Sequence, residues 1–575
     1  MISNKLGAVI LVICCTYVPA QAQQPLGGNT TPPAFQLSAA HMEAVNRHRR
    51  IVHHHDAGAN THFLKNIGPE RIDEVVQYLV SPLDAEANQI DSVWYDWTTG
   101  NQANYPSTVV PLLNHGPYPG WLKSGVDIVG LVQEAAQQRG REVFFSYRVN
   151  GGDHAFGWRL LPMKKDHPQW THDPYRGLGY NTPHIFWNFA FQGVRDYKVK
   201  IIRELAENYD FDGISIDFAR GPNSFPLGTQ WEHRDHLTQF MRQVRQMMLE
   251  VERQRGRPIL LAARVPESIV GCHFDGIDIE SWTRENLLDI LALGGRSSEV
   301  DIPDFRRITA GTEIKLYPCF DYHHSSDSYD QIAIQYSRGI YTNWWHQGAD
   351  GAYHFNNHFM EPHINHSLNA YYRSKKGWAA QCQLNREIGS PDTLRYLDKA
   401  FYVQRRGYHG GTVPKPEDWW TPRHQFSYTN MLEALPVTIP NNHRADRLLT
   451  ITVGDDVNAE RKRVNGITLR LALRDPVAVN LPDADRNEGI SGVRRGVPPP
   501  TLYTTKGIEK LIEVRVNNLL LDPAQMDNGW LVYPVRPKQL ALGNNLVGIR
   551  VTERPSGVTD EISIEKLEIH VDYRD

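Results

Sequence analysis

The sequence predicts an α/β fold, a (β/α)8 TIM barrel, followed by a C-terminal all-β sandwich of the jelly-roll type. Two observations support this prediction. From about residue 48 to residue 360, short β-like runs alternate with helical patterns, which is typical of βα units and a parallel sheet. Beyond about residue 430, apolar and polar residues alternate with the period of a β-strand, and turn signals separate the runs.

The first region contains eight β-like runs, and a barrel of the usual length of about 250 residues fits within it with room for enlarged loops. Between the runs, apolar residues recur at helical spacing, as at Val194, Tyr197, Ile201 and Leu205. The eight runs are "RIVHHHD" (50–56), "SVWYDW" (92–97), "EVFFSYRVN" (142–150), "GISIDFA" (213–219), "ILLAARVP" (259–266), "LDILALG" (288–294), "IKLYPCFDY" (314–322) and "GAYHFNN" (351–357).

The chain is expected to begin with a cleaved export signal. Residues 1–22 carry a lone basic Lys5, an apolar run too short to span a bilayer, and the small residues Ala20 and Ala22 at the spacing of a cleavage site. The mature protein is therefore predicted to be periplasmic or extracellular, without a membrane anchor. The further predicted parts are an N-terminal extension (23–47), the catalytic barrel (48–410), a Pro- and Trp-rich linker (411–429) and the sandwich (430–575).

Composition limits the class of protein. The chain has 575 residues, 41% of them hydrophobic and 22% charged, which is ordinary for a globular protein with more than one domain. The net charge of −4 gives no indication of a nucleic-acid partner. Cys272, Cys319 and Cys382 form an odd and sparse set that argues against a disulfide framework. No cofactor or metal is predicted, and the expected partner is a carbohydrate substrate.

Polar residues follow the predicted strands, at the barrel face where TIM-barrel active sites are built. In "GISIDFAR", Ser215, Asp217 and Ala219 share one side, so Asp217 is expected to point into the barrel. Glycoside hydrolysis needs two carboxyl groups, and Glu267 follows the next strand. We predict Asp217 as nucleophile or base and Glu267 as acid/base, with Asp321 as the reserve partner.

Other rim residues are predicted to contact the substrate. The arginines among them suit carboxylate or sulfate groups of an acidic polysaccharide, although pairing with the rim's own aspartates is an equal alternative. Tryptophans in loops over the mouth, including Trp97, Trp187, Trp231 and Trp282, offer faces for sugar rings, or else they pack the barrel. The predicted substrate-binding residues are His54, Asp56, Asp96, Trp97, Arg148, Asn150, His154, Arg220, Arg264 and Asn356.

Two alternatives remain open at this point. In a metal-dependent hydrolase, His53 and His55 would share one side of the first strand as metal ligands, with Asp321 as another ligand. In a non-catalytic glycan-binding protein, the same barrel would keep its aromatic cleft without a working pair of carboxylates. The orientation of Glu267 relative to Asp217 would separate that protein from an enzyme.

Four stretches resemble the "family 10-like" glycosyl hydrolase barrels of secreted bacterial proteins: "VRDYKVKIIRELAENYDFDGISIDFAR", "FSYRVNGGDH", "GIDIESWTRENLLDILALGG" and "GADGAYHFNN". They cover about residues 50–380. The resemblance implies a TIM barrel that acts on carbohydrate, with Asp217 at the position of the catalytic carboxylate, and it implies no particular substrate.

Two other resemblances depart at the residues that matter. "DGISIDFA" is similar to the chitinase-like DGxDxDxE signature, but Ser215 and Ala219 stand where that signature has acidic residues. The α-amylase-like clan places carboxylates after its fourth, fifth and seventh strands, but its arginine is Ser215 here. The C-terminal region resembles a galactose-binding-type jelly roll, which would bind glycan or support the barrel.

Overall fold

The computed structural model describes residues 33–58, 67–97, 102–114, 116–151, 153–154, 160–174, 184–221, 223–295, 297–321, 333–355, 375–405, 432–475, 507–527, 530–554 and 556–574. The predicted export signal, the predicted linker and Asn356 lie outside the described residues. The described helices include none that is long and apolar enough to cross a membrane.

Eight parallel strands close into a barrel, and their order around the barrel is their order along the chain. This confirms the predicted barrel. Seven of the eight predicted runs contain their strand in full, and the run at 92–97 overlaps its strand, which begins two residues earlier at Ile90. The strands are β1 Ile51–His55, β2 Ile90–Asp96, β3 Glu142–Arg148, β4 Gly213–Asp217, β5 Leu260–Val265, β6 Ile290–Leu293, β7 Lys315–Asp321 and β8 Ala352–Phe355.

Helices cover the outside of the barrel. The residues predicted at helical spacing, such as Val194 and Ile201, are buried against the strands. The described helices are α1 Ala39–Val45, α2 Ile72–Val80, α3 Tyr118–Lys123, α4 Ile128–Gln138, α5 Pro162–Asp166, α6 Gln192–Asn208, α7 Arg234–Arg255, α8 Ile269–Phe274, α9 Ile279–Arg284, α10 Ile302–Ile308, α11 Ile334–His346, α12 Lys375–Glu387 and α13 Pro391–Leu394.

Alternate residues of each barrel strand face inward, because side chains of a strand alternate between its two faces. The inward residues form one apolar cluster, which α1 closes at the N-terminal end of the barrel through Val45. The outward residues join the larger core under the helices. The inward cluster contains Val52, Trp94, Phe144, Leu260, Ala262, Ile290, Ala292, Tyr317, Cys319, Tyr353 and Phe355.

A short antiparallel sheet lies between β3 and β4 in the chain. Its strands are Asp153–His154, Thr171–His172 and His184–Trp187, and the last of them is central. This insertion follows the C-terminal end of β3 and therefore belongs to the face of the barrel where the candidate site lies.

Two antiparallel sheets form the C-terminal sandwich, as predicted. One has the order β9-β18-β12-β16-β15, with β10 also paired to β18, and the other has the order β11-β17-β13-β14. The strands are β9 Lys399–Tyr402, β10 Val437–Ile439, β11 Arg447–Val453, β12 Val464–Arg474, β13 Ile512–Val516, β14 Leu519–Leu520, β15 Gln525–Asp527, β16 Trp530–Pro534, β17 Gly543–Val551 and β18 Ile562–Tyr573.

The sandwich core follows the alternation read from the sequence. Ile467, Leu469, Leu471 and Leu473 of β12 are buried between the two sheets, whereas Arg474 is exposed. Strand β9 precedes the predicted linker, yet it pairs with β18 of the sandwich. The sandwich is therefore attached to the barrel through a strand as well as through side-chain contacts.

A buried ionic cluster fastens α1 to the bottom of the barrel. His41 contacts Glu252 of α7 at 2.5 Å and Asp289, which precedes β6, at 3.0 Å. Arg245 donates two hydrogen bonds to the same Asp289 carboxylate, at 2.9 and 2.6 Å. Burial alone would lower the pKa of His41, but the hydrogen bonds to Asp289 and Glu252 outweigh it and raise the pKa to about 9. The imidazolium form is therefore the one that holds α1.

This cluster predicts an alkaline loss of stability. Because the pKa of His41 is raised on folding, its contribution is complete below the ordinary histidine value of 6.5 and is lost as pH rises through about 9. Replacing His41 with Gln should lower the free energy of unfolding by about 3 kcal/mol at pH 6 and by much less at pH 9.5. Urea unfolding followed by tryptophan fluorescence at both pH values measures the difference. An equal loss of unfolding free energy at pH 6 and at pH 9.5 would contradict the prediction.

Candidate active site at the barrel mouth

Three charged residues lie side by side at the C-terminal ends of adjacent strands. The register of β3, β4 and β5 aligns Arg148, Asp217 and Arg264 in one row. The row below contains Ser146, Ser215 and Ala262, which are small, while Phe144, Gly213 and Leu260 lie one row further down. The barrel interior therefore changes from apolar to charged over two rows, and Asp217 faces inward as predicted.

Asp217 is held by Arg264. Nε and Nη2 of the guanidinium donate hydrogen bonds to the two carboxylate oxygens, at 2.9 and 3.0 Å. The backbone N–H of Arg220 donates a third hydrogen bond at 2.9 Å. The adjacent strand thus supplies a guanidinium that pairs with Asp217, and Arg220 contributes its backbone N–H.

Arg264 also forms the floor of the mouth. Its guanidinium carbon lies 3.9 Å above the ring of Phe355, which belongs to β8 on the far side of the barrel. His54 stacks on the same ring with a centroid distance of 4.2 Å. The pKa of His54 is well below its usual range, because the side chain is buried and the positive charges of Arg148 and Arg264 lie near it. His54 is thus a neutral inward-facing group at neutral pH.

A second ion-pair cluster shares one guanidinium between two carboxyl groups. Arg148 contacts Asp56, which follows β1, through Nη2 at 2.8 Å, and it contacts Asp96 at the end of β2 through Nε at 2.6 Å. Asp96 is only 1% exposed. Because Asp56 and Asp96 contact the same cation, proximity to Arg148 does not fully compensate the burial of Asp96.

Asp96 has a raised tendency to keep its proton. Burial raises its pKa, Arg148 and Arg220 lower it, and the neighbouring carboxylates Asp56 and Asp217 raise it again. The net result is a pKa well above the usual range of aspartate. The sequence predicted Asp96 as a substrate contact and gave no signal for this proton, because Asp56, Asp96 and Arg148 come from the ends of three separate strands.

Glu267 lies in the loop after β5, the strand next to the one that carries Asp217. Its backbone oxygen accepts a hydrogen bond from the N–H of Asp301 at 2.9 Å. A Cβ placed on Gly294 would lie 3.2 Å from the Cβ of Glu267. Its side chain is therefore beside the end of β6. The predicted pairing of Glu267 with Asp217 stays a prediction.

Asp321 lies on the inward face of β7. It follows Tyr317 and Cys319 at intervals of two residues, it is fully buried, and its register partner on β8 is Phe355. His53 and His55, in contrast, point outward from β1. They share the outward side with Ile51, and the His55 ring lies 5.8 Å from the outward ring of Tyr95.

The metal-dependent alternative is not supported by this arrangement. The barrel wall separates His53 and His55 from Asp321. Across the residues that the structure describes, no cluster of three or more His, Cys, Asp or Glu side chains has a geometry that would hold a metal ion.

Asn150 connects two loops of the rim. Its amide nitrogen donates to the backbone oxygen of Asn223 at 2.7 Å, and its amide oxygen accepts from the N–H of Trp187 at 3.0 Å. Gly221, at φ +75°, lies so close that a Cβ would stand 2.0 Å from the Asn150 carbonyl oxygen. Asn150 thus positions the loops after β3 and β4, and its predicted contact with substrate stays a prediction.

Most of the described tryptophans expected over the mouth are core residues. Trp97, Trp187 and Trp282 are buried, and Trp97 packs 6.0 Å from Tyr95 outside the barrel. Trp231 is 42% exposed, with the His273 ring at 4.3 Å. For His154 the structure describes the backbone alone.

The pair of Asp217 and Arg264 predicts a strong energetic coupling. Arg264→Met would leave a buried carboxylate without its guanidinium, so the free energy of unfolding should fall by about 3–5 kcal/mol. Adding Asp217→Asn should recover at least about 2 kcal/mol of that loss. Urea unfolding of the single and double variants measures the coupling. Arg71→Met, which breaks an exposed pair with Glu74, is the control and should cost less than about 1 kcal/mol.

The sequence matches no protein-family model, and no curated protein matches it. Solved structures with which it aligns include an α-L-fucosidase from Paenibacillus thiaminolyticus, at 12% identity and a TM-score of 0.38, over 62% of this chain and 52% of that chain. They also include the PgaB glycoside hydrolase domain of Bordetella bronchiseptica, at 10% identity and a TM-score of 0.37, over 58% and 98% of the two chains.

A maltogenic α-amylase from Thermotoga neapolitana aligns at 10% identity and a TM-score of 0.34, over 87% of this chain and 98% of that chain. This chain thus spans about half the length of the fucosidase and nearly all of the other two. All three neighbours are glycoside hydrolases by name. Their low identities leave the activity of this chain to be argued from its own residues.

Proposed function

We propose that this protein is an exported glycoside hydrolase that cleaves a poly- or oligosaccharide at the mouth of its barrel. The observation that carries this proposal is the cluster of inward-facing carboxyl groups at the C-terminal ends of the strands, with Asp217 at its centre. Glycosidic bond cleavage needs one carboxylate and one protonated carboxyl group on opposite sides of the bond. The mouth combines a carboxylate bound by Arg264 with a carboxyl group, that of Asp96, whose pKa is raised.

In this proposal Asp217 is the nucleophile or base. As nucleophile it would attack the anomeric carbon while the leaving oxygen takes a proton from the acid, and water would then release the sugar. As base it would take a proton from the attacking water instead. The ion pair with Arg264 limits either role, because three hydrogen bonds already occupy three of the about four lone-pair sites of the Asp217 carboxylate.

Two groups compete for the role of acid. Glu267 was predicted from its place after the fifth strand, and Asp96 is favoured by its raised pKa and by its position near Asp217. The proposed acidic substrate has less support than the reaction itself. Arg264 is already paired with Asp217, and Arg148 contacts Asp56 and Asp96, so binding of an anionic sugar group would require one of these contacts to open.

A non-catalytic glycan-binding protein is the second candidate. The observation that favours it is the same pairing: Arg264 occupies Asp217, and Arg148 lies between Asp56 and Asp96. A mouth in which these ion pairs stay closed would bind sugar without cleaving it. Measurement of turnover separates the two candidates directly.

Reducing-sugar release from neutral, uronate-containing and sulfated polysaccharides tests the enzyme. Asp217→Asn should lower kcat/KM at least about 100-fold on the active substrate, because it removes the attacking or proton-accepting group. Comparing Glu267→Gln with Asp96→Asn then identifies the acid by the larger loss. Asp73→Asn, on the exposed face of α2, is the control and should be fully active. Activity that survives Asp217→Asn would refute the assignment, and binding without turnover would support the second candidate.

Asp96 should hold a proton at neutral pH, because burial and the neighbouring carboxylates Asp56 and Asp217 raise its pKa more than Arg148 and Arg220 lower it. The infrared C=O band of protonated carboxyl groups should be weaker at pH 7 in Asp96→Asn than in the native protein. A residual band is expected from Glu299, because burial raises its pKa to about 7. The difference between the two proteins should disappear as pH rises through the pKa of Asp96, since an acid is protonated below that value and ionised above it. Equal band intensities in the native protein and in Asp96→Asn would assign the proton to another carboxyl group.

A further inference from the structure

A cleft lies between the barrel and the sandwich, away from the mouth. Its volume is about 340 Å³, within the range of small-molecule sites. It is lined by the end of α11, the loop after α13, the sandwich loop 454–460 and the end of β18. Helices of this fold run antiparallel to the strands, so the C-terminal end of α11 points toward the bottom of the barrel. The cleft therefore opens on a different part of the surface from the candidate active site.

Two tyrosines form fixed walls of the cleft. The hydroxyl of Tyr396 donates to Glu460 at 3.0 Å, and the hydroxyl of Tyr573 donates to Asp455 at 2.6 Å. The two rings meet edge to face with a centroid distance of 5.9 Å. Aromatic walls with carboxylate acceptors beside them offer both an apolar face and hydrogen-bond partners, which is the combination that a sugar ring presents in complementary form.

Tyr396 has a backbone conformation that is unfavourable for its residue type. Its φ is +58°, in the left-handed region that residues other than glycine adopt rarely. The guanidinium carbons of Arg395 and Arg463 lie 5.0 and 5.3 Å from its ring, and Glu460 binds its hydroxyl. Such strained residues persist where several contacts fix them, and they are concentrated at ligand sites.

The cleft contains an unsatisfied polar group. Thr342 of α11 lines it and is 8% exposed, and its hydroxyl oxygen has no hydrogen-bond partner among the described residues. Gly454 of the sandwich lies so close to the helix that a Cβ would stand 2.7 Å from the Thr342 carbonyl oxygen. A buried hydroxyl without a partner is destabilising, and a ligand hydroxyl in the cleft would satisfy it.

The charges of the cleft favour a neutral ligand. Asp455 is paired with Lys399 at 2.9 Å, and Glu460 is paired with Arg395 at 2.9 Å. Asp456 is a third, exposed carboxylate of the lining. The two pairs neutralise most of the charge of the lining, so the cleft suits a neutral ligand, whose hydroxyl groups can donate to the carboxylates.

We infer that this cleft is a second carbohydrate site, separate from the barrel mouth, which binds one or two neutral sugar units of a polysaccharide. The assignment to carbohydrate, rather than to another small neutral molecule, rests on the proposed function. The site would keep the polysaccharide on the protein while another part of the same chain enters the barrel.

The test uses the full chain with Asp217→Asn, so that bound glycan is not cleaved. Isothermal titration with soluble xylan, β-glucan and galactomannan, and with polygalacturonate for comparison, measures affinity. Leu542→Arg should block the cleft, because Leu542 lines it and is 46% exposed, and should weaken binding of the neutral polysaccharides at least about tenfold. Leu546→Arg is the matched control, since Leu546 is 44% exposed on β17 outside the lining.

Thr342→Val gives a second, independent test. The variant keeps the shape and removes the unsatisfied hydroxyl, so it should weaken binding about fivefold or more and raise the midpoint of thermal unfolding. A purely structural role would not produce these two opposite effects. Equal affinities for Leu542→Arg and Leu546→Arg, or no binding of any neutral polysaccharide, would overturn the inference. Binding that depends on Leu542 without hydrolysis by the native protein would refute the proposed function and leave the second site intact.

Discussion

One constraint places every charged group at the barrel mouth: a closed barrel of parallel strands admits only alternate residues to its interior. Asp217 is inside because Ser215 and Gly213 are inside, and Arg264 is inside because Ala262 and Leu260 are. A shift of one residue in the register of β4 would place Asp217 against the helices and bring Ile216 into the mouth. The apolar rows below therefore fix the chemistry of the row above them.

The same constraint explains why the mouth is built from ion pairs. Carboxyl groups that face into a narrow barrel lose their water, and arginines from adjacent strands compensate them. The compensation differs between the two clusters. Asp217 accepts from two nitrogens of Arg264, whereas Asp56 and Asp96 both contact Arg148. The result is a carboxyl group with a raised pKa, that of Asp96, near a carboxylate held by a guanidinium, which is an arrangement that acid and base catalysis by two carboxyl groups can use.

The barrel could be predicted from the sequence, whereas the side-chain contacts at its mouth could not. The eight strands were predictable because buried parallel strands are continuous apolar runs, and Asp217 was predictable because its own strand has small neighbours on the same side. The partnership of Asp217 with Arg264 links residues 47 positions apart on two strands, which depends on register rather than on local pattern. The sequence could not show whether His53 and His55 point into the barrel, for the same reason. Their spacing shows that they share one side of the strand, but it does not show which side faces the barrel axis. Trp97 could not be distinguished from a rim residue because burial depends on the helices that cover it.

The attachment of the sandwich gives the second site its rigidity. Strand β9 continues the barrel chain directly into the sandwich by pairing with β18, and α11 packs on β9 so closely that a Cβ on Gly339 would lie 2.2 Å from the Ala400 carbonyl oxygen. Tyr336 of the same helix donates to Glu568 of β18 at 3.0 Å. These contacts hold the walls of the cleft in place from both domains, so a ligand would not have to order them on binding. Preorganisation of this kind lowers the entropic cost of association, which matters most for a neutral sugar, because each of its hydrogen bonds contributes little on its own.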